Sequence, residues 1–459
     1  MTEETAAQRL ARWVVGLRYE DLTPEAVYHA KRCMLDTLGV QLRGATLPWV
    51  QPAYLYARSI VGNGVATISY HGERVHAPYA AYVNSGFSYS CELQHHGSPG
   101  SAHTGVIVVP VVQALGEQLG ASGKDIITAM VAGYEAQGQV GAALFKPEFQ
   151  RHYNPKERHF HLQGMMAPFG AVAAAGKLLG LNQEQQVHAF AIAANLASGV
   201  LEYDEGGGEE KRLHGAMGAR SGMQAAMQAK LGLTGPISVF EGRHGYFAAF
   251  GGARPAQPLF TELGKPYCIT RCRYRIYSCV GCSHSPIDII AELMKTHAFH
   301  HRDVASVRVG LYERGLMHTG SIRRPHDVMS AQASLPYCVA VRLVKGSNSL
   351  EMYLDHTLWH DPDILSLVDR VEAYAVVKPD LPRYTHVEIK LKNGKVLAGE
   401  LDYTPGQEEA PFSDEIMADK FRTLTQVVLP RERVEAIMQA VNRLDSIASM
   451  SELVPLLQK

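Results

Sequence analysis

A chain of 459 residues with 44 basic and 45 acidic side chains is close to electroneutral, so it has no overall attraction to nucleic acid or to an anionic membrane surface. Its length suits two domains; Glu3, Glu4, Arg9, Arg12 and Arg18 leave no apolar leader, and no run reaches the ~18 apolar residues of a membrane span. Seven cysteines, an odd number, fit reduced thiols. These features predict a cytoplasmic protein acting on a small soluble molecule, without nucleic-acid or membrane partners.

In chain order, the spacing of Leu10, Trp13, Val14 and Leu17 predicts a first helix. Thr23, Pro24 and Glu25 open a second, running to about Gly44, and residues 49–61 read as a third. Residues 66–75 read as a small hairpin, followed by a helix from Pro78 to about Tyr89. The Gly- and Pro-rich loop from Cys91 to His103 then delivers a carboxylate and three imidazoles ahead of a helix from Thr104 to Leu119. Ser122 caps a helix over 124–143. Residues 146–160 are irregular and basic.

From His161 to Gly245 come three helical patterns built from Ala, Gly, Ser and Met, whose small side chains allow close helix packing. Polar groups interrupt them where helices begin: His161 before the first, and residues 206–214, ending in Lys211, Arg212, Leu213 and His214, before the third. After the prolines at 255, 258 and 266, strand and helix signals mix. Residues 273–277 and 305–312 alternate like strands, and 285–295 and 330–344 are periodic like helices. Asn393-Gly394 between two alternating runs predicts a hairpin with a type I′ turn. From Ser413 the chain is helical again. The fold class expected is mainly α: a helical domain over 1–265 plus 410–459, with a smaller α+β domain inserted over 266–409.

The order of these pieces carries a resemblance. A His before a small-residue helix, an LLGL turn, an A…IAAN.ASG helix, a KRLH.G.A..SG..AA..A..G.TGP segment and an FEG..G ending, together with matches from about Ala6 to Leu457, resemble the MmgE/PrpD family. Its members include 2-methylcitrate dehydratase, cis-aconitate decarboxylase and iminodisuccinate epimerase. The resemblance implies the same division, with the inserted domain as a lid, and a homodimer built through the helical body.

Imidazole titrates near neutrality without large tuning, which suits it to proton transfer beside a carboxylate. Most of the 21 histidines are read as surface or structural residues. The resemblance singles out His103, in a pattern with Asn84, Glu92, Gly105 and Pro110, and His161, as acid/base candidates. It places Lys211 in the family's K-x-L-H-x-G context, where a cation clamps a carboxylate and stabilises developing charge, with His214 as its neighbour. Residues 273–284 resemble a K-x-x-P-C-C-x-x-T-H element, with Arg275 at the Lys position and His284 at the His. Arginine there binds a carboxylate by its planar fork and does not transfer protons near neutral pH. Each cation could instead be solvated or paired with a surface acid.

The D-x-D-D-T run of members that handle citrate-like substrates is here Glu92-Leu93-Gln94-His95-His96, two carboxylates being replaced by an amide and an imidazole. The expectation at Glu92 and His96 is therefore either a differently charged substrate, other than methylcitrate or cis-aconitate, or a change in which residue supplies the proton. A metal site receives little support: Cys279-x-x-Cys282 has no second CxxC, and no HExxH pattern is present. The triple glycine at 206–208 lacks a phosphate-binding frame. The function expected is a cofactor-independent lyase, a dehydratase, hydratase or decarboxylase, acting on a small di- or tricarboxylate. Its catalytic residues are His103, His161 and Lys211, and Glu92, His96, Arg275, His214 and His284 bind substrate. The alternatives are an isomerase or epimerase using the same two bases and a non-catalytic relative.

Overall fold

The computed structural model of the chain describes residues 4–60, 64–97, 100, 102–146, 159–203, 208–381 and 383–459. Most of the basic stretch expected at 146–160, and Gly206 and Gly207, lie outside the described residues. The fold is mainly α and divides into two compact units. One comprises Met1–Ser90, Gln94–Arg273 and Asp414–Lys459; the other comprises Cys91–Leu93 and Tyr274–Ser413. Among the described residues no helix is long and apolar enough to cross a membrane.

In the helical unit, local chemistry sets the helix ends. Thr5 with Gln8, Ser122 with Asp125 and Asn182 with Gln185 form capping boxes that satisfy orphan N–H groups at the starts of Ala6–Gly16, Gly123–Leu144 and Gln183–Ala194. Thr23 caps Pro24–Gly44, with the proline in the first turn. The third expected helix is shorter than its pattern, Gln51–Ser59, behind a 3-10 turn at Pro48–Val50.

At the centre lies Leu162–Leu179, whose Ala167, Ala171, Ala173, Ala174 and Ala175 are all fully buried. A helix apolar on every side has to be surrounded. His214–Lys230 approaches it closely: a Cβ on Gly218 would lie 2.2 Å from Ala167 Cβ, and one on Gly222 would lie 2.5 Å from both Ala171 Cβ and the Pro168 carbonyl. Backbone stands on one side of that contact and cannot yield. Gly222→Val is therefore expected to destabilise the protein by about 3 kcal/mol or more, measured by urea unfolding; an unchanged midpoint would mean that the helices can separate at no cost.

The small hairpin pairs Ala66–Thr67 with Arg74–Val75. Asn84, on the Ala77–Ser88 helix, accepts from Ser69 N–H (2.9 Å) and donates to the Thr67 carbonyl (3.1 Å). Its place in the sequence motif thus coincides with a packing role.

The second unit holds a four-stranded sheet in the order Val371–Ala375, Val304–Leu311, Thr385–Leu391, Val396–Leu401. The first two are parallel and the other pairs antiparallel. Three sequence readings change here. Residues 273–277 do not form a strand: Arg273 makes only an isolated bridge with His96. The helix expected over 330–344 is two, Val328–Ala333 and Leu335–Lys345, because Pro336 has no N–H to continue the first helix's hydrogen-bond ladder, and Ser334, in extended conformation, accepts the Tyr337 N–H as a new cap. The Asn-Gly hairpin does not use a type I′ turn: Gly394 (φ 88) is left-handed but Asn393 is not, and Gly394 N–H bonds to the Leu391 carbonyl. That is a type I turn followed by a glycine bulge.

Candidate active site

Two groups of imidazoles form in the helical unit. In the first, the half-buried His103 donates its Nδ1–H to the His95 carbonyl at 2.9 Å. A carbonyl can only accept, so neutral His103 carries its hydrogen on Nδ1 and presents a lone pair at Nε2. His96 lies edge-on to it, ring centroids 5.2 Å apart. An Arg273 guanidinium N–H lies 2.9 Å from His96 Nδ1. Guanidinium only donates, so His96 has the opposite tautomer, with its hydrogen on Nε2. A base and a donor thus stand side by side. Gln163 clamps the backbone beneath them, accepting from His103 N–H (2.8 Å) and donating to the His103 carbonyl (3.2 Å).

The second group is His161, His214, Tyr203 and Lys211. Pro168 has no N–H to return to the Gly164 carbonyl, and Ser198 N–H uses it instead (3.4 Å). A Cβ on Gly164 would lie 1.9 Å from the Ser198 carbonyl, so only glycine lets the chain after Gln183–Ala194 lie so close. His161 N–H then bonds to the Gly199 carbonyl (3.0 Å), and His161 Nδ1 meets His214 Nδ1 at 2.7 Å. One ring supplies the hydrogen and the other the lone pair. Burial, reinforced by the Lys211 cation, lowers the His214 pKa against the pull of Glu210, which favours one shared hydrogen over two charged rings. Lys211 Nζ lies 5.8 Å from the Tyr203 ring centre. The turn that carries it, Glu210–Leu213, is anchored by buried Arg212, which bonds to Glu209 (2.7 Å) and the Ser90 carbonyl (2.9 Å) and stacks on Trp49.

Gln163 links the groups: it sits two residues after His161, and its Nε2 is 3.5 Å from where a Cβ on Gly215, next to His214, would be. The Gln163 amide therefore bonds to the backbone of His103 in the first group and lies beside Gly215, the neighbour of His214 in the second.

Glu92, Arg275 and His284 belong to the second unit. Arg275 lies 3.4 Å from both the carbonyl and the carboxylate of Glu92, which is buried with φ 51. A non-glycine residue held in that left-handed region costs backbone energy, a common feature of functional positions. His284 is buried, with Nε2 3.3 Å from the Cys279 carbonyl and its ring near Tyr277.

Sequence reasoning missed several supporting groups: Arg273, Gln163, Tyr203 and a charged network beneath His95. His95 Nδ1 and backbone N–H both reach Asp36 Oδ2, at 2.8 and 3.1 Å, and Lys420 Nζ reaches Asp36 Oδ1 at 2.6 Å. His95 Nε2 meets the Tyr134 hydroxyl at 2.7 Å. Among the described residues, the single grouping of potential metal ligands is Cys33, His95 and Cys272, all buried, with ligand atoms within 4.8 Å of one another. Both ring nitrogens of His95 are already engaged, Nδ1 by Asp36 and Nε2 by Tyr134, so the grouping reads as part of the network.

Desolvation opposes charge on His95, but the Cys33 sulfur and the Asp36 carboxylate push its pKa up to about 9. Desolvation likewise raises Asp36, yet Lys420 and His95 bring it down to about 2. The raised imidazole stabilises the fold fully below pH ~6.5, and that stabilisation is lost as pH rises through 9. The lowered carboxylate contributes above pH ~4 and loses its contribution towards pH 2. Each effect is of order 2–3 kcal/mol, and because they share one ion pair they do not add. Urea midpoints are expected to be highest between pH ~4.5 and 6.5 and lower at pH 9.5; a flat profile would mean that His95 is neutral in the folded chain.

The MmgE/PrpD N-terminal domain model matches residues 8–259, and the MmgE/PrpD C-terminal domain model matches 277–445. The chain is 26% identical to a cis-aconitate decarboxylase-like protein, oryM, of Aspergillus oryzae over 99% of this chain and 98% of that protein. It is 27% identical to a cis-aconitate decarboxylase of Aspergillus terreus (98% and 95% covered) and 25% identical to that of Homo sapiens (100% and 95%). With two domain models spanning most of its length, the chain belongs to the MmgE/PrpD family.

Proposed function

We propose that this MmgE/PrpD enzyme is a carboxy-lyase acting on a small unsaturated polycarboxylate of the cis-aconitate type. The observation that carries the reading is the fixed tautomer of His103, with its Nε2 beside a donor imidazole. In such a substrate one carboxylate is β,γ to the alkene. When it leaves as CO2, its electron pair becomes a new terminal C=C, and the old alkene pair takes a proton at its far carbon. One proton is consumed for each CO2 released. His103 first takes up a proton from solvent at its Nε2 lone pair and then delivers it from that atom while Nδ1–H stays on the His95 carbonyl, returning to the neutral ring, so uptake and transfer occur at a single atom. Lys211 and the Nε2–H of His96 hold carboxylates, and the His161–His214 pair offers a second proton carrier. Nothing in this scheme requires a metal or an organic cofactor.

The reading extends to the α+β unit as a lid, with Arg275 as a carboxylate-binding residue whose charge is offset by Glu92. Arg275→Lys is expected to raise KM about tenfold through loss of the planar fork, with little change in kcat.

The test is to follow CO2 release and alkene signals for chelator-treated protein with cis-aconitate and related di- and tricarboxylates. One CO2 per substrate consumed, with new methylene protons, supports the carboxy-lyase. Loss or gain of water without CO2 would make it a hydratase or dehydratase. Exchange of an α-hydrogen with solvent but no net elimination would make it an epimerase.

A further inference from the structure

His103 is held by a main-chain atom, and that atom is itself held by charge. The His95–His96 peptide is tied at both ends: its carbonyl accepts His103 Nδ1–H at 2.9 Å, and its N–H donates to the Arg273 carbonyl at 2.8 Å. Arg273 N–H returns a bond to the His96 carbonyl, also at 2.8 Å. Beneath the peptide, the His95 ring is gripped at Nδ1 by Asp36 and at Nε2 by Tyr134, with Lys420 on the far oxygen of Asp36. Gly105 closes the cage: a Cβ there would lie 2.2 Å from His95 Cε1 and 2.6 Å from Thr37 Oγ1. His95, Asp36 and Lys420 are all at least nine-tenths buried. An ion network of this kind is costly to desolvate, and replacing it with apolar groups is often neutral or stabilising. Its presence on the residue whose carbonyl holds the candidate acid/base His103 points to something besides stability.

We propose that His95 is a positioning residue: clamped between Asp36 and Tyr134, it fixes the direction of its own carbonyl and thereby holds His103 in the Nδ1–H tautomer. This inference rests on His103 being the proton carrier of the proposed reaction, but its direct readout does not depend on which substrate is used. The carbonyl survives any substitution at position 95, so only its aim changes. A glutamine in place of His95 cannot satisfy Asp36 and Tyr134 from one rigid ring, so the peptide keeps its main-chain bonds to Arg273 but loses the side-chain clamp that sets the angle of the His95 carbonyl.

The experiment uses full-length protein with ¹⁵N-labelled histidine and compares wild type, His95→Gln and Tyr134→Phe. Long-range proton–nitrogen spectra assign the His103 tautomer, and circular dichroism checks folding. Wild type should show His103 hydrogenated on Nδ1; His95→Gln should show a mixture of tautomers, with kcat down about 10–100-fold and KM nearly unchanged. Tyr134→Phe keeps the Asp36 contact, so it should show a smaller movement in the same direction. It also carries the test if His95→Gln fails to fold. An unaltered His103 tautomer in a folded variant, whatever its activity, would overturn the inference. If wild type and variants differ in tautomer as expected but His103→Gln leaves turnover intact, the positioning stands and the proposed function fails.

Discussion

His103→Gln is expected to lower kcat by roughly 10²–10⁴-fold, the usual contribution of a positioned acid or base, with little change in thermal stability. Gln163 holds this position through the backbone N–H and carbonyl of residue 103, so those contacts survive any side-chain change. A glutamine amide can still reach towards the His95 carbonyl, but it has no proton to give near neutral pH. A side chain that bonds but does not titrate therefore separates catalysis from architecture. Stopped assays at saturating substrate, paired with unfolding midpoints, would show the split. A fall in stability matching the fall in activity would assign His103 a structural role.

The largest effect on stability is expected from Asp36→Ala. That carboxylate accepts from Lys420 Nζ, His95 Nδ1–H and His95 N–H, and it is fully buried. Removing it takes away the buried carboxylate that both the Lys420 ammonium and the His95 imidazolium bond to. The expected loss is about 3–5 kcal/mol. Adding Lys420→Met should recover part of it, because one of the two stranded charges is then gone. The coupling measured by that double-mutant cycle distinguishes a charge network from simple loss of packing, which would give additive losses.

Much of the helical frame could be read from the sequence because its signals are local. Thr5 with Gln8, Ser122 with Asp125, and Thr23 before Pro24 are all decided within one turn. The small-residue pattern at Gly218 and Gly222 likewise reports directly on the close approach to Ala167 and Ala171. The candidate site was legible to the extent that its proposed residues sit at or just before helix starts, as with His161, Lys211, His214 and His103. What stayed hidden depends on partners distant in sequence. His95 stood out only as one of two adjacent histidines. Its partner Asp36 lies 59 positions earlier, and Lys420 is 384 positions from Asp36. Arg273 sits in an alternating run that mimics a strand, and its pairing with His96 comes from a single bridge. The tautomers of His96 and His103, which give the pair its chemistry, follow from which atom each Nδ1 faces, and no residue pattern encodes that.

The central claim, that His103 delivers the proton which replaces CO2, is tested most directly by turnover in D2O. Wild-type protein acting on cis-aconitate should yield a product carrying one solvent deuterium at the carbon that was the far end of the substrate alkene, and His103→Ala should abolish both the product and the label. Label and product appearing in His103→Ala at the wild-type rate would contradict the account.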